Sequence, residues 1–569
     1  MRILLLCHGF NSLTQRLHVE LTERGHDVSV EFDINDAVTR EAVALFDPDL
    51  VLAPFLKRAI PEDVWRKVKC LIVHPGVRGD GGPAALDRAI LDAEATWGVT
   101  LIEARAEMDA GPVWAWREFP MRAATKSSLY RHEVTEAAVA CVLEAVGRLE
   151  EDGQAAPLAV HNSGRGSFRA ACGQAERAVD FTRQTTAEIL RVIRASDGSP
   201  GAGGAIAGHD VRLFDADDAA GLRGAAGTLL ARSGPALAVA TADGAVWIGH
   251  VRTQEKGALK LPAAHVFRRN AAELPEVAGY PLLRYEEEGA AGFLHFRFYN
   301  GAMSTDDCMI LLDALRQALL RPTRVLVLMG GEDYWSNGLH LGMIEAAPSP
   351  ADASWANINT MNDLVEAILR TDDRLTVAAL RGNAGAGGVF LALACDEIWM
   401  RQGAILNPHY KDMGNLYGSE FWTYLLPRRV GTEAARRIAE MRLPMGAAEA
   451  ERLRLVDRLL PADATAAAGE ARNLAQGLAE DPRLAAAIAQ KRVGRSRDEA
   501  AKPLARYRSE ELARMRVNFY GFDPSYHVAR FNFIRKVPKS RTPLTLAKHR
   551  SHAQGSRQAP ARHERSEVP

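Results

Sequence analysis

The sequence predicts an α/β protein of several domains, and three observations carry that expectation. Its 569 residues exceed what one hydrophobic core can serve, at roughly 150 residues per domain. Near the N-terminus, short apolar runs alternate with amphipathic helical stretches, which is the rhythm of a parallel sheet with crossover helices. Far apart in the chain, two glycine-rich turns follow predicted strands, where backbone can come close to a ligand.

Taken in order, residues 1–160 form a doubly wound unit. Strands are expected at 3–6, 28–32, 50–53 and 71–73, with a helix over 14–24 ending at Gly25. The opening apolar run stops at His8-Gly9, too short for the core of a secretion signal, and reads as the first buried strand. Turns at 75–83 and 109–112 close predicted strands and form the natural ligand site. Residues 161–278 are a small β-rich, barrel-like unit with a helix through 189–194 and strands at 237–240 and 245–248; residues 219–235 carry no assignable element. Residues 279–465 hold strands at 293–298, 325–329 and 376–380, helices at 305–320, 357–371 and 435–454, and a closing run at 455–460. Residues 466–537 are a helical extension ending in Phe519, Tyr520, Phe522, Tyr526, Phe531 and Phe533. Residues 538–569 are rich in Ser, Pro, His and Arg and poor in apolar side chains, so a disordered tail is expected.

Composition narrows the partners. With a net charge of −1, the basic residues are balanced, and no nucleic-acid role is implied. No apolar run approaches the ~20 residues that cross a bilayer, so no membrane role is expected. The six cysteines are scattered, which fits reduced thiols in the cytoplasm. No Cys or His spacing matches a zinc site, so no metal is expected.

Two constellations carry chemistry. The first is His74-Pro75-Gly76, Gly98-Val99-Thr100 and Met108-Asp109-Ala110-Gly111-Pro112. It resembles the active site of enzymes that move a formyl group from 10-formyltetrahydrofolate. The resemblance implies that His74 stabilises the tetrahedral oxyanion and that Asp109 orients it or takes the acceptor's proton. It also implies that the segment bearing Phe55, Leu56, Lys57 and Ile60 grips the pterin through its backbone. Where that family carries Asn, this chain has Ile72; loss of one oxyanion donor typically costs on the order of 10²–10³ in rate. A thiolate acceptor would offset the loss, since a thiol of pKa ~8.5 is partly ionised and strongly nucleophilic at neutral pH. The neighbouring Cys7-His8 either packs in the strand or lines the ligand. Residues 161–278 resemble the small C-terminal domain of methionyl-tRNA formyltransferases.

The second constellation is Trp335-Ser336-Asn337-Gly338-Leu339-His340 with Ala386-Gly387-Gly388, followed by Asp396-Glu397-Ile398. It resembles the crotonase (enoyl-CoA hydratase/isomerase) family, whose ββα spiral polarises a thioester carbonyl between two backbone N–H groups. Position by position, the donors fall at Leu339 and Gly387, with Gly338 and Gly388 letting coenzyme A approach. The family's acids are altered: Phe390 stands where hydratases carry Glu. A polar pair remains, Tyr410 and Glu420. Either this pair is catalytic, or Tyr410 packs and Glu420 caps the helix that starts near Phe421.

The fusion of both halves, with the run Tyr417-Gly418-Ser419-Glu420-Phe421-Trp422-Thr423-Tyr424, resembles the HypX/HoxX family of hydrogenase maturation factors. That resemblance implies formyl transfer from 10-formyltetrahydrofolate to coenzyme A. Formyl-CoA is then split to CO and CoA, to make the CO ligand of NiFe hydrogenase. Glu420 is expected as base and Tyr410 as proton donor, or the reverse, with hydrogenase maturation proteins as partners. Two alternatives stand beside this one: hydrolysis of formyl-CoA to formate, and a non-catalytic maturation scaffold.

Overall fold

The computed structural model describes residues 1–153, 155–159 and 165–550. Its first sheet has six strands, in the spatial order Asp27–Phe32, Arg2–Cys7, Leu50–Phe55, Cys70–His74, Thr96–Glu103 and Val113–Pro120. The first four are parallel, as the alternating pattern predicts. The last two run antiparallel, which a purely parallel sheet does not describe. They form a hairpin whose turn requires Gly111, since a Cβ there would overlap the Glu103 carbonyl oxygen. Strand order reverses between Arg2–Cys7 and Leu50–Phe55, so a crevice opens beyond their carboxyl ends. The loops after Cys7, Phe55 and His74 all border it.

The second unit is an antiparallel sheet ordered Ala202–Ile206, His209–Asp218, Ala245–Thr253, Ala236–Ala240 and Leu229–Ser233. The helix Thr186–Ser196, started by a Thr185/Glu188 capping box, packs on it. The strand Leu229–Ser233 falls in the stretch where the sequence carried no assignable element.

The third unit is a spiral of two sheets. Six strands (Leu283–Glu288, Ala291–Phe296, Val325–Met329, Leu375–Leu380, Glu397–Arg401, Arg458–Leu460) form one. Four short ones (Tyr334–Ser336, Asn383–Gly385, Ile405–Asn407, Met445–Gly446) form the other. The single helix expected over 435–454 is two helices, Thr432–Met441 and Ala447–Arg452, with Met445–Gly446 paired to Ile405–Asn407 between them. Pro444 accounts for the break, because its ring and missing N–H cannot continue a helix. Helices Ala464–Glu480, Leu484–Ala501, Leu504–Tyr520 and Ser525–Ile534 make the extension. Of its aromatic cluster only Phe519 and Tyr526 are buried. Among the described residues no helix is long and apolar enough to cross a membrane.

The disordered tail expected from residue 538 is corrected over 538–550; residues 551–569 lie outside the described residues. Leu546 is buried in the core of the first domain, and its carbonyl accepts the Val30 N–H at 3.0 Å. The segment thereby covers Asp27–Phe32, an outer strand of the first sheet. Glu31, within that strand, is fully buried. His549 Nε2 donates to it at 3.0 Å, Arg550 Nη2 at 2.7 Å, and the Thr542 hydroxyl donates as well. Composition misleads here because the segment brings few apolar groups but supplies the donors a buried carboxylate needs.

Burial alone would raise the Glu31 carboxyl, but the hydrogen bonds from His549, Thr542 and Arg550 outweigh it and hold it below the ordinary range of 4.5. Its stabilisation is therefore present above pH 4.5 and lost as pH falls through the lower folded value. Glu31→Ala is expected to cost about 3–5 kcal/mol, because it strips the Arg550 guanidinium and the buried His549 and Thr542 groups of their common partner. Denaturant unfolding, with proteolysis of the C-terminal segment, checks this; an unchanged midpoint and an uncut segment would refute it.

Candidate functional site

His74 ends the strand Cys70–His74 at the sheet's ligand edge and is 5% exposed. Its Nε2 donates to Asp80 Oδ2 at 3.0 Å, while Nδ1 lies 3.7 Å from Asp109 Oδ1. Asp109 sits in the left-handed region at φ +59° and accepts the Gly82 N–H at 2.9 Å. The 35-residue separation is thus closed by one strand pairing and two loops. Gly76 is required at this point, since a side chain there would overlap both His74 and Asp80. Asp80 was missed by sequence reasoning. It lies inside the 75–83 turn, and an acid six residues after a strand-terminal His is the only local trace of it.

Ile72 lies two residues before His74 on the same strand, partly buried among apolar neighbours. Phe55 is half-buried and meets Tyr130 and His8 edge-on at 6.5 and 6.0 Å. Lys57 is exposed, with Nζ 5.9 Å from the Phe55 ring centre. Ile60 is buried in the apolar cluster beside the sheet, and Leu56 packs against it. Cys7 is buried, and desolvation pushes its thiol far above the usual range. His8 pairs with Asp33 at 3.0 Å.

The second site lies between the turns 336–340 and 385–388. A Cβ on Gly338 would lie 3.2 Å from Gly387 N, which brings the two turns into contact. Gly388 has no room for a side chain, because its Cβ would overlap the Ser336 carbonyl; its own carbonyl accepts Trp335 Nε1 at 2.9 Å. Ala386, ahead of the helix Gly387–Leu393, is held at φ +46°, a conformation costing an alanine of order 1–3 kcal/mol. The turns that carry Leu339 and Gly387 therefore lie against one another.

Beside them the Glu420 carboxyl, 1% exposed, fills the room a side chain at Gly387 would need. Tyr410 donates to Glu420 Oε2 at 2.6 Å. Phe390 stacks on the Tyr410 ring at 5.3 Å and 14° and so holds the phenol in place. Glu420 and Phe421 are both left-handed at φ +59°. The Glu420 N–H is tied to Asn362 Oδ1 at 2.8 Å, and its side chain does not cap the following helix, Trp422–Val430. Burial raises the Glu420 carboxyl to about 7, partly opposed by the Tyr410 hydroxyl. Burial and the Glu420 charge raise the Tyr410 phenol well above its usual value.

The two domains are joined beside the second site. A π-helical turn, Tyr130–Val134, presents Arg131 and His132 to Asp333, at 3.3 and 3.1 Å, and Arg131 also donates to Tyr334 Oη at 2.9 Å. Asp333 and Tyr334 lead directly into the Leu339 turn. Burial would raise the Asp333 carboxyl, but His132 and Arg131 hold it far below the carboxylate range. Asn407, whose carbonyl accepts the Ala386 N–H, donates to Gln15 at 3.2 Å.

The enoyl-CoA hydratase/isomerase family matches residues 301–517, and the formyl transferase C-terminal domain matches residues 172–267. The hydrogenase maturation factor HoxX of Bradyrhizobium diazoefficiens is 60% identical over 553 residues, 97% of each chain. A methionyl-tRNA formyltransferase of Dechloromonas aromatica is 25% identical over 261 residues, 45% of this chain and 79% of that one. The crystal structure of HypX from Aquifex aeolicus in complex with tetrahydrofolic acid superposes with a TM-score of 0.94 at 47% identity. That match covers 97% of this chain and 99% of the other.

Gly388→Ala is expected to destabilise the spiral domain by about 1–3 kcal/mol through overpacking. Gly147→Ala has open space around the added Cβ and should not destabilise. Urea unfolding of the two variants checks the contrast.

Proposed function

The chain belongs to the HypX/HoxX family of hydrogenase maturation factors, and we propose that its two sites act in series to make the CO ligand of a NiFe hydrogenase centre in the cytoplasm. At the first site the thiolate of coenzyme A attacks the formyl carbon of 10-formyltetrahydrofolate. A C–S bond forms, the C–N bond breaks, and the folate nitrogen leaves with a proton. His74, oriented by Asp80, stabilises the oxyanion, and Asp109 handles the proton. The tetrahydrofolate held by the Aquifex HypX crystal supports a folate in this crevice, with Phe55 and the backbone around Leu56, Lys57 and Ile60 as its floor.

At the second site formyl-CoA places its carbonyl between the Leu339 and Gly387 amides. Glu420 removes the formyl proton while the C–S electrons go to sulfur. Tyr410, hydrogen-bonded to Glu420, returns a proton to the thiolate. The sum is one proton moved from carbon to sulfur, with CO and CoA released. The observation that carries this reading is the 2.6 Å Tyr410–Glu420 pair beside the two glycine turns. It is an acid/base unit whose carboxyl lies near neutrality, where a general base works best. Hydrogenase maturation proteins are the expected recipients of the CO.

Isotope-labelled formyltetrahydrofolate and CoA, followed by assay of CO, formate and formyl-CoA, test the sequence of steps. Glu420→Gln and Tyr410→Phe should accumulate formyl-CoA and lower CO release by roughly 10²–10⁴-fold, while Asp109→Asn should stop both products. The base must be ionised to act, so CO release should rise with pH through about 7. Labelled formate in place of CO would favour the hydrolase. Unimpaired maturation by all of these variants would favour a scaffold.

A further inference from the structure

Glu511 lies in the helix Leu504–Tyr520 and has no exposed surface. Its Oε2 accepts the Phe421 N–H at 2.9 Å and the Ser419 hydroxyl at 3.4 Å. Its Oε1 accepts the Thr423 N–H at 2.9 Å and the Thr423 hydroxyl at 2.5 Å. These are the donors at the start of the helix Trp422–Val430, whose own N-cap residue supplies no side-chain bond. The N-cap position itself holds Phe421, which has no acceptor, and the nearest acid ahead of it is Glu420, one residue further back. With the donors already taken by Glu511, Glu420 adopts a left-handed backbone and turns its carboxyl toward Tyr410 and Gly387.

We propose that Glu511 is a positioning residue for the thioester reaction: by capping the helix from a distant element, it frees Glu420 to act, and the helical extension thereby completes the second site. This rests on Glu420 being the acid/base of that site. Electrostatics point the same way. Glu511, raised to about 7 by burial, adds a like charge that also raises Glu420, and none of its hydrogen-bond partners is a cation.

The test offers synthetic formyl-CoA to the full chain and follows CO release, with folate-dependent formyl transfer measured on the same preparations. Glu511→Gln keeps the shape but loses one acceptor and the charge. Thr423→Val removes a single donor and is the milder variant. For Glu511→Gln the kcat for CO is expected to fall roughly 10- to 100-fold through misplacement of Glu420. KM and formyl transfer should be retained, and the rising limb of the pH profile should move to lower pH. Thr423→Val should give a smaller kcat loss in the same direction. Unchanged kcat and pH limb in Glu511→Gln would overturn the role of Glu511, as would parallel loss of kcat, formyl transfer and unfolding midpoint. Wild-type protein that releases no CO from formyl-CoA would overturn the proposed reaction itself, and the role of Glu511 with it.

Discussion

A carboxyl group withdrawn from water and held against a phenol is the constraint around which the C-terminal half is organised. Glu420 can stay buried only if its oxygens and its backbone are satisfied by protein. Tyr410 supplies the hydroxyl, Asn362 accepts the N–H, and Ser419 N donates to Oε2 at 3.2 Å. The backbone needs two consecutive left-handed residues to deliver the side chain, a conformation that persists only where surrounding contacts over-determine it. Gly418 contributes as well, since a side chain there would overlap the Tyr410 ring. Phe390, stacked on the same ring, adds to the clamp.

The same logic of compensated burial links the two sites. Asp333 is tolerable at the domain junction because Arg131 and His132 reach it from the first domain. Those two residues sit on a π-helical turn, a local widening of the helix that often marks a functional position. The strand after Asp333 leads into the Leu339 turn, so the position of that turn is fixed partly by the formyltransferase-like domain. One chain holding both halves thus has a structural reason: the halves brace one another.

Much of this was legible from residues alone, and the part that was not has a common cause. Apolar periodicity indicated the first four strands, and the glycine turns marked places where protein packs too closely to admit a side chain. His74 and Asp109 were recognisable because each sits in a local motif. Asp80, Glu511 and the 538–550 segment were not, because each acts through a partner distant in sequence or through a loop whose path local pattern does not encode. Glu511, in the run Arg508-Ser509-Glu510-Glu511, looks like any solvated helix face. A trace did exist for the docked segment: Glu31 interrupts an apolar strand, and an acid on a buried strand implies a partner from elsewhere. The antiparallel end of the first sheet escaped for the opposite reason, since a hairpin and a crossover begin with the same strand pattern.

The cover over the first domain's outer strand is made from residues translated long after that strand; 517 positions separate Ser29 from Leu546. At the usual pace of ribosomes, on the order of 5–20 residues per second, about 25–100 s pass before it can arrive. Throughout that interval the nascent chain carries a bare β edge with an uncompensated acid in it. In the finished protein the late-made segment closes that edge and supplies the donors Glu31 needs.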